Sequence, residues 1–139
     1  MSFQNQFTKT TTDANLMETV HHGSAEYPFR YYYENIALFD FKCIDWHWHS
    51  ELEFIYIKSG NVVFDIGTVH FELNEGNGIM INSKILHRLQ SSSDAIIPNF
   101  LFQPSFIAPQ DSLIYKKYIN PVISSSLEYL VFQPDIPWQ

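Results

Sequence analysis

Apolar and polar residues alternate along most of this chain with a period of two, which is the pattern of β-strands that bury one face. Aromatic and β-branched residues predict a first strand at 27–33 and a second at 36–44. A longer strand is predicted at 45–58, and a Ser-Gly-Asn turn ends it. Later strands are predicted at 79–81, 96–102 and 127–132. Short strands separated by turns indicate an all-β sandwich or barrel.

The segment 62–73 predicts a β-hairpin with a defined register. Its two-residue loop is Gly67-Thr68, and glycine in the first loop position favours a type II′ turn. The register places three apolar pairs on one face: Val62 with Leu73, Phe64 with Phe71, and Ile66 with Val69. A slip of one residue would mix this face with the opposite one, so the pattern specifies the pairing.

Two segments lack the alternation. Residues 1–24 are polar and rich in Thr, Asn and Gln, which predicts a flexible N-terminal arm preceding one domain at 25–139. We expect both histidines of this arm, His21 and His22, to be exposed. A short helix is predicted at 112–119, with a cap at its start and Pro121 as its stop.

Length, composition and charge limit the class of protein. The chain has 139 residues, 45% of them hydrophobic, which suits one domain with a core. Its net charge of −7, with 8 Lys and Arg, argues against a DNA-binding surface in this chain. Cys43 is the only cysteine, which excludes an internal disulfide and fits a reducing compartment. With no signal-peptide pattern and no membrane-length apolar run, we expect a soluble cytoplasmic protein.

Candidate chemistry concentrates on the predicted strand 45–58. Residues i and i+2 of a strand share a face, so His47, His49 and Glu53 should point the same way, as should Glu51. Together with His87 they could surround one divalent metal ion, such as Zn, Ni, Fe or Mn. They could equally bind the polar groups of a small molecule without a metal. Trp46 and Trp48 fall on the opposite face, where we expect packing or a dimer contact.

The spacing of these residues resembles the first motif of the cupin superfamily, His-x-His-x3-Glu-x6-Gly, at His47, His49, Glu53 and Gly60. The second cupin motif is matched at two positions only, Gly76 and His87. It departs at Asn82, where proline is usual, and at Lys84, where glycine is usual. Phe41 stands where the first motif has its leading glycine.

These departures resemble the sensor domains of AraC-type transcriptional regulators, through Gly76, Ile81-Asn82 and His87. That resemblance implies a jelly-roll barrel that binds a small-molecule effector, often a sugar. It implies His47, His49, Glu53 and His87 as the ligand or metal residues. It also implies a homodimer in the full-length protein, and DNA contacts through a helix-turn-helix region beyond Gln139, outside this chain.

The alternative is a stand-alone metal-dependent cupin enzyme, such as a dioxygenase, isomerase or decarboxylase. The metal would bind substrate or activate water or oxygen, and Glu51 or Glu72 would be the general base. We expect the sensor rather than the enzyme, because the second motif is AraC-like.

Overall fold

The computed structural model describes residues 7–139, and the strands of that part form two antiparallel sheets. In chain order the strands are β1 (Phe29–Asn35), β2 (Cys43–His47), β3 (Leu52–Tyr56), β4 (Asn61–Ile66), β5 (Val69–Asn74), β6 (Gly78–Ile81), β7 (His87–Gln90), β8 (Ile96–Phe102) and β9 (Tyr129–Phe132). One sheet has the order β1-β8-β3-β6-β9, and the other has the order β2-β7-β4-β5.

The strand pairing is nested. β4 pairs with β5, β3 with β6, β2 with β7 and β1 with β8, all antiparallel. This nesting is the topology of a jelly roll, so the predicted all-β jelly-roll barrel is confirmed. The inner faces of the two sheets bury a continuous apolar core that includes Phe64, Ile79, Leu89 and Ile97.

The hairpin is also confirmed in its register. β4 and β5 pair Val62 with Leu73, Phe64 with Phe71, and Ile66 with Val69. Gly67 has φ of +55°, whereas Thr68 is not among the residues with positive φ, as a type II′ turn requires.

The single strand predicted at 45–58 is wrong. The chain leaves the four-stranded sheet after His47 and enters the five-stranded sheet at Leu52. The β2–β7 register is already irregular between Ile44 and His47. The functional residues therefore lie at a corner between two sheets, and simple alternation along one strand does not set their directions.

The strand predicted at 36–44 is also wrong over most of its length. Two short 3₁₀ turns occupy Ile36–Leu38 and Asp40–Lys42, before β2 begins at Cys43. The Asn35 side chain starts the first turn by accepting a hydrogen bond from the backbone N–H of Ala37. Conversely, the sequence pattern does not predict β7, the strand that carries His87.

The helix runs further than its prediction. A π-helical segment, Tyr115–Ile119, continues into a short α-helix, α1 (Asn120–Ile123). Pro121 is predicted to stop the helix, but it lies in the first turn of α1, directly after the π-helical segment, and the helix ends at Ile123. Ile123 of α1 packs on a second apolar cluster on the five-stranded sheet, which is built on Leu52, Met80 and Phe102.

The described part of the N-terminal arm lies against the barrel. Trp48 holds it by three hydrogen bonds: its backbone N–H donates to Leu16 O, its carbonyl accepts from Glu18 N, and its indole Nε1–H donates to Asn15 O. Residues 1–6 of the predicted arm lie outside the described residues, and the domain boundary at residue 24 stays a prediction. In the region from 7 to 139, no helix is long and apolar enough to span a membrane.

Candidate ligand-binding and metal site

Four buried side chains converge at the corner between the sheets. His47 ends β2, His49 lies in the crossing segment, Glu53 lies in β3 and His87 begins β7. One potential ligand atom from each lies within 4.8 Å of those of the other three. The structure therefore brings together all four residues that the sequence singled out.

The histidines are oriented by the backbone. Each ring places Nδ1 against a carbonyl oxygen: 2.7 Å from His47 to Asp45, 3.2 Å from His49 to Glu51 and 2.8 Å from His87 to Ile85. Because a carbonyl can only accept, each Nδ1 must carry the proton and donate it. The Nε2 atoms are then the ones available to bind a ligand, an orientation common among metal-binding histidines.

One oxygen of Glu53 faces two of these nitrogen atoms. Its Oε2 lies 3.0 Å from His49 Nε2 and 3.2 Å from His87 Nε2. A proton on either Nε2 would make that ring a cation, because Nδ1 is already protonated. A divalent cation among the four atoms would take the place of these protons. Three imidazole nitrogens and one carboxylate form a donor set that suits Zn, Ni, Fe or Mn.

The pKa values in the cluster follow from burial and pairing. Burial alone would raise the pKa of Glu53, but the hydrogen bonds with His49 and His87 hold it well below its usual range. Burial lowers the pKa of His47 to about 4, and the neighbouring His87 acts in the same direction. Burial would lower the pKa of His49, but the bond to Glu53 raises it. Burial thus keeps His47 neutral at neutral pH, while the raised pKa of His49 and the lowered pKa of Glu53 both favour an ion pair between these two residues.

The arm places two residues, Glu18 and His22, beside the cluster, and the sequence did not predict this. His22 was predicted to be exposed, but it is 7% exposed, whereas His21 is exposed as predicted. His22 Nε2 lies 2.8 Å from Glu18 Oε2, and its Nδ1 lies 2.7 Å from the Tyr32 hydroxyl. Its ring centroid is 5.8 Å from that of His49. The polar composition of the arm gave no sign of this contact, because no periodic pattern marks which side of the arm faces the barrel.

A small cavity of about 40 Å³ lies between the arm and the barrel. Its polar lining includes Glu18 and His22 from the arm, His47 and Glu53 from the cluster, and a further group on β1 and β8. That group is Tyr32, Glu34 and Asn99. We call this space with its lining the chamber.

Of the four cluster residues, His49 and His87 do not line the chamber, and the other residues singled out by sequence lie apart from its lining as well. Glu51 is buried, and its Oε2 is 3.7 Å from His49 Nδ1. Glu72 is exposed on the hairpin. The Arg88 guanidinium lies over the Trp46 ring, with its Cζ atom 5.1 Å from the ring centroid, and Trp48 holds the arm. Neither tryptophan therefore stacks in the chamber.

Comparison with known proteins identifies the family. The family model described as the AraC-like ligand binding domain matches residues 38–108, which contain all four cluster residues. This chain belongs to that family. It is 32% identical over 129 residues to the uncharacterized HTH-type transcriptional regulator YdeC of Bacillus subtilis. The alignment covers 91% of this chain and 44% of that regulator, so the chain spans less than half the length of this relative.

Solved structures align over about half of the chain. A cupin-2 domain protein from Shewanella frigidimarina aligns with a TM-score of 0.43 and 15% identity, over 55% of this chain and 71% of that one. A protein from Thermotoga maritima, described as a predicted oxalate decarboxylase, aligns with a TM-score of 0.45 and 18% identity, over 54% and 64%.

Proposed function

We propose that this chain is the effector-binding domain of an AraC-type transcriptional regulator and that the chamber is its effector site. The observation that carries the proposal is the convergence of His47, His49, Glu53 and His87, each with one potential ligand atom within 4.8 Å of the others. Two of the four, His47 and Glu53, also line the chamber. Buried polar groups of this kind give a concave site its orientation and specificity. A small polar metabolite, such as a sugar, would use these groups and those on β1 and β8.

We further propose that the four residues hold one divalent cation. The donor set fits, because the backbone carbonyls fix each Nδ1 as a donor and leave Nε2 for the ion. A bound ion would supply a Lewis acid that attracts a hydroxyl or carboxylate oxygen of the effector. Without an ion, the same atoms would bind the effector by charge-assisted hydrogen bonds.

We propose that the domain has two states, and the size of the chamber supports this. Metabolite sites usually measure about 300–1,000 Å³, whereas the chamber measures about 40 Å³. Binding therefore requires displacement of the arm segment that carries Glu18 and His22. An effector that binds only the displaced state would shift the equilibrium between the two states, which is what regulation needs.

We propose that DNA is bound through a separate region of the full-length protein. The net charge of −7 disfavours a DNA surface on this chain, and the relative in Bacillus subtilis is an HTH-type regulator of more than twice the aligned length. A homodimer in the cytoplasm is the corresponding expectation for the full-length protein. The family match and the regulator relative favour this function over a cupin enzyme. Of the two candidate general bases for such an enzyme, Glu72 is exposed on the hairpin, whereas Glu51 is buried beside His49.

A reporter assay tests this proposal. The full-length regulator is expressed with a reporter under the promoter it controls, and growth conditions are screened for a response. We expect His49→Ala and Glu53→Ala to abolish the response, while His70→Ala, at an exposed histidine on the hairpin, preserves it. Circular dichroism checks that each variant is folded. An unchanged response in both folded cluster variants would refute the proposed site.

A further inference from the structure

Glu34 is a buried carboxylate in the chamber that the histidine cluster does not use. It lies on β1 and is 9% exposed. On the inner face of the five-stranded sheet, β8 separates it from β3, the strand of Glu53. Burying a carboxylate without a charged partner is costly, so a cationic partner would stabilise Glu34 at this position.

The carboxylate is only partly satisfied within the protein. Asn99 Nδ2 donates to Glu34 Oε2 at 2.9 Å, and its second N–H donates to Ile97 O at 3.0 Å. Among the residues that the structure describes, the carboxylate of Glu34 forms no other hydrogen bond. Asn99, itself 2% exposed, thus orients the carboxyl group and leaves Oε1 for a ligand in the chamber.

The charges around Glu34 favour a cation. Glu18 and Glu53 line the same chamber, and both raise the pKa of Glu34, although burial is the larger cause. Lys9 lines the chamber too, but its side chain is 74% exposed and its Nζ lies 3.8 Å from Asp40 Oδ2. His22 contributes in the opposite sense and is already bonded to Glu18 and Tyr32.

We propose that Glu34, oriented by Asn99, binds a protonated amine of the effector. This rests on the proposed function of the chamber and narrows the class of effector. An ammonium group can donate a charge-assisted hydrogen bond to Oε1. Its positive charge also compensates the negative charge of the buried carboxylate. A carboxylate at the same place would add a fourth negative group beside Glu18, Glu34 and Glu53. A neutral hydroxyl could donate one hydrogen bond but would bring no compensating charge.

Three small probes of similar size test this directly: ethanolamine (cationic), ethylene glycol (neutral) and glycolate (anionic). Each is titrated into the ¹⁵N-labelled 139-residue chain and followed by NMR. We expect ethanolamine to bind at least about tenfold more tightly than the other two probes, because a hydrogen bond between charged groups contributes enough binding free energy for that difference. The shifted amides should include those of β1 and β8.

Glu34→Gln removes the charge and keeps the shape, so it should abolish the preference for ethanolamine. Glu75→Gln, at an exposed position in the turn after β5, is the matched control and should keep it. The proposal is overturned if ethanolamine fails to bind, if either other probe binds as tightly, or if Glu34→Gln keeps the preference. Any of these results, with a reporter response still lost in His49→Ala and Glu53→Ala, would leave the proposed function standing.

Discussion

Glu53 and His87 join the two sheets of the barrel through one contact, since Glu53 Oε2 on β3 lies 3.2 Å from His87 Nε2 on β7. The same oxygen lies 3.0 Å from His49 Nε2, in the segment that crosses between the sheets. A single carboxylate thus fixes the relative positions of two histidines from different parts of the chain. The cluster is therefore both a candidate binding site and a contact that connects the two sheets.

Removing Glu53 should destabilise the barrel. Glu53→Ala leaves His49 buried without the partner that raises its pKa, and breaking a buried ion pair typically costs about 3–5 kcal/mol. We expect a loss of about 3 kcal/mol in the free energy of unfolding at neutral pH, measured by urea denaturation. Glu75→Ala should change it by less than about 0.5 kcal/mol. Equal stabilities of the two variants would show that the pair contributes nothing.

Glu34 should make stability fall as pH rises. Its pKa is raised to about 7 in the folded protein, chiefly by burial, against an ordinary value of 4.5. The stabilising contribution of the protonated form is complete below about pH 4.5 and is lost as the pH rises through about 7. Glu34→Gln removes this dependence, so its stability relative to wild type should increase by about 3 kcal/mol across that window. The lowered pKa of His47 changes stability at acid pH in wild type and variant alike. Subtracting one unfolding free energy from the other therefore cancels the contribution of His47 and leaves that of Glu34. A difference that is constant with pH would contradict the raised pKa.

Trp48 should control how often the arm leaves the barrel. Trp48→Phe keeps an aromatic ring but removes the indole N–H that donates to Asn15 O at 2.9 Å. Losing one such bond costs about 1 kcal/mol, so hydrogen exchange at the Glu18 amide should accelerate about fivefold. Trp46→Phe is the matched control, because Trp46 packs against Arg88. Similar exchange rates in the two variants would show that this bond does not hold the arm.

Asn82 should be essential to the attachment of the helical segment. Its amide donates to Val122 O at 2.9 Å and to Leu127 O at 2.8 Å. Asn82→Ala leaves both carbonyls without these donors, and we expect a loss of about 2–4 kcal/mol in unfolding free energy. Asn77→Ala removes two exposed hydrogen bonds, one to Gln133 and one from the backbone N–H of Asn74, and should cost less because water can replace both. Calorimetry of the two variants compares them, and an equal change in melting temperature would refute the role of Asn82.

Local pattern was sufficient for the hairpin and for the identity of the four cluster residues. The hairpin register depends on alternation over adjacent residues and on Gly67, all of which are local. The cluster was identified from motif spacing, although its geometry was predicted for the wrong reason: His47 and Glu53 lie in different sheets. Local sequence pattern could not predict contacts between residues that are far apart in the chain. His22 is buried where the arm, bonded to Trp48, lies against the barrel, and the pairing of Glu34 with Asn99 joins residues 65 positions apart.

Whether His47, His49, Glu53 and His87 bind a ligand or merely pack together is tested most directly by metal titration. The 139-residue chain, purified without an affinity tag and stripped of metal, is titrated with Zn²⁺ in a calorimeter. We predict one equivalent bound in the wild type, with protons released as the Nε2 atoms are taken up. His87→Ala should lose that binding, whereas the exposed His70→Ala should keep it. Less than about a tenth of an equivalent bound in the wild type, or equal binding by His87→Ala, would contradict a metal site at this cluster.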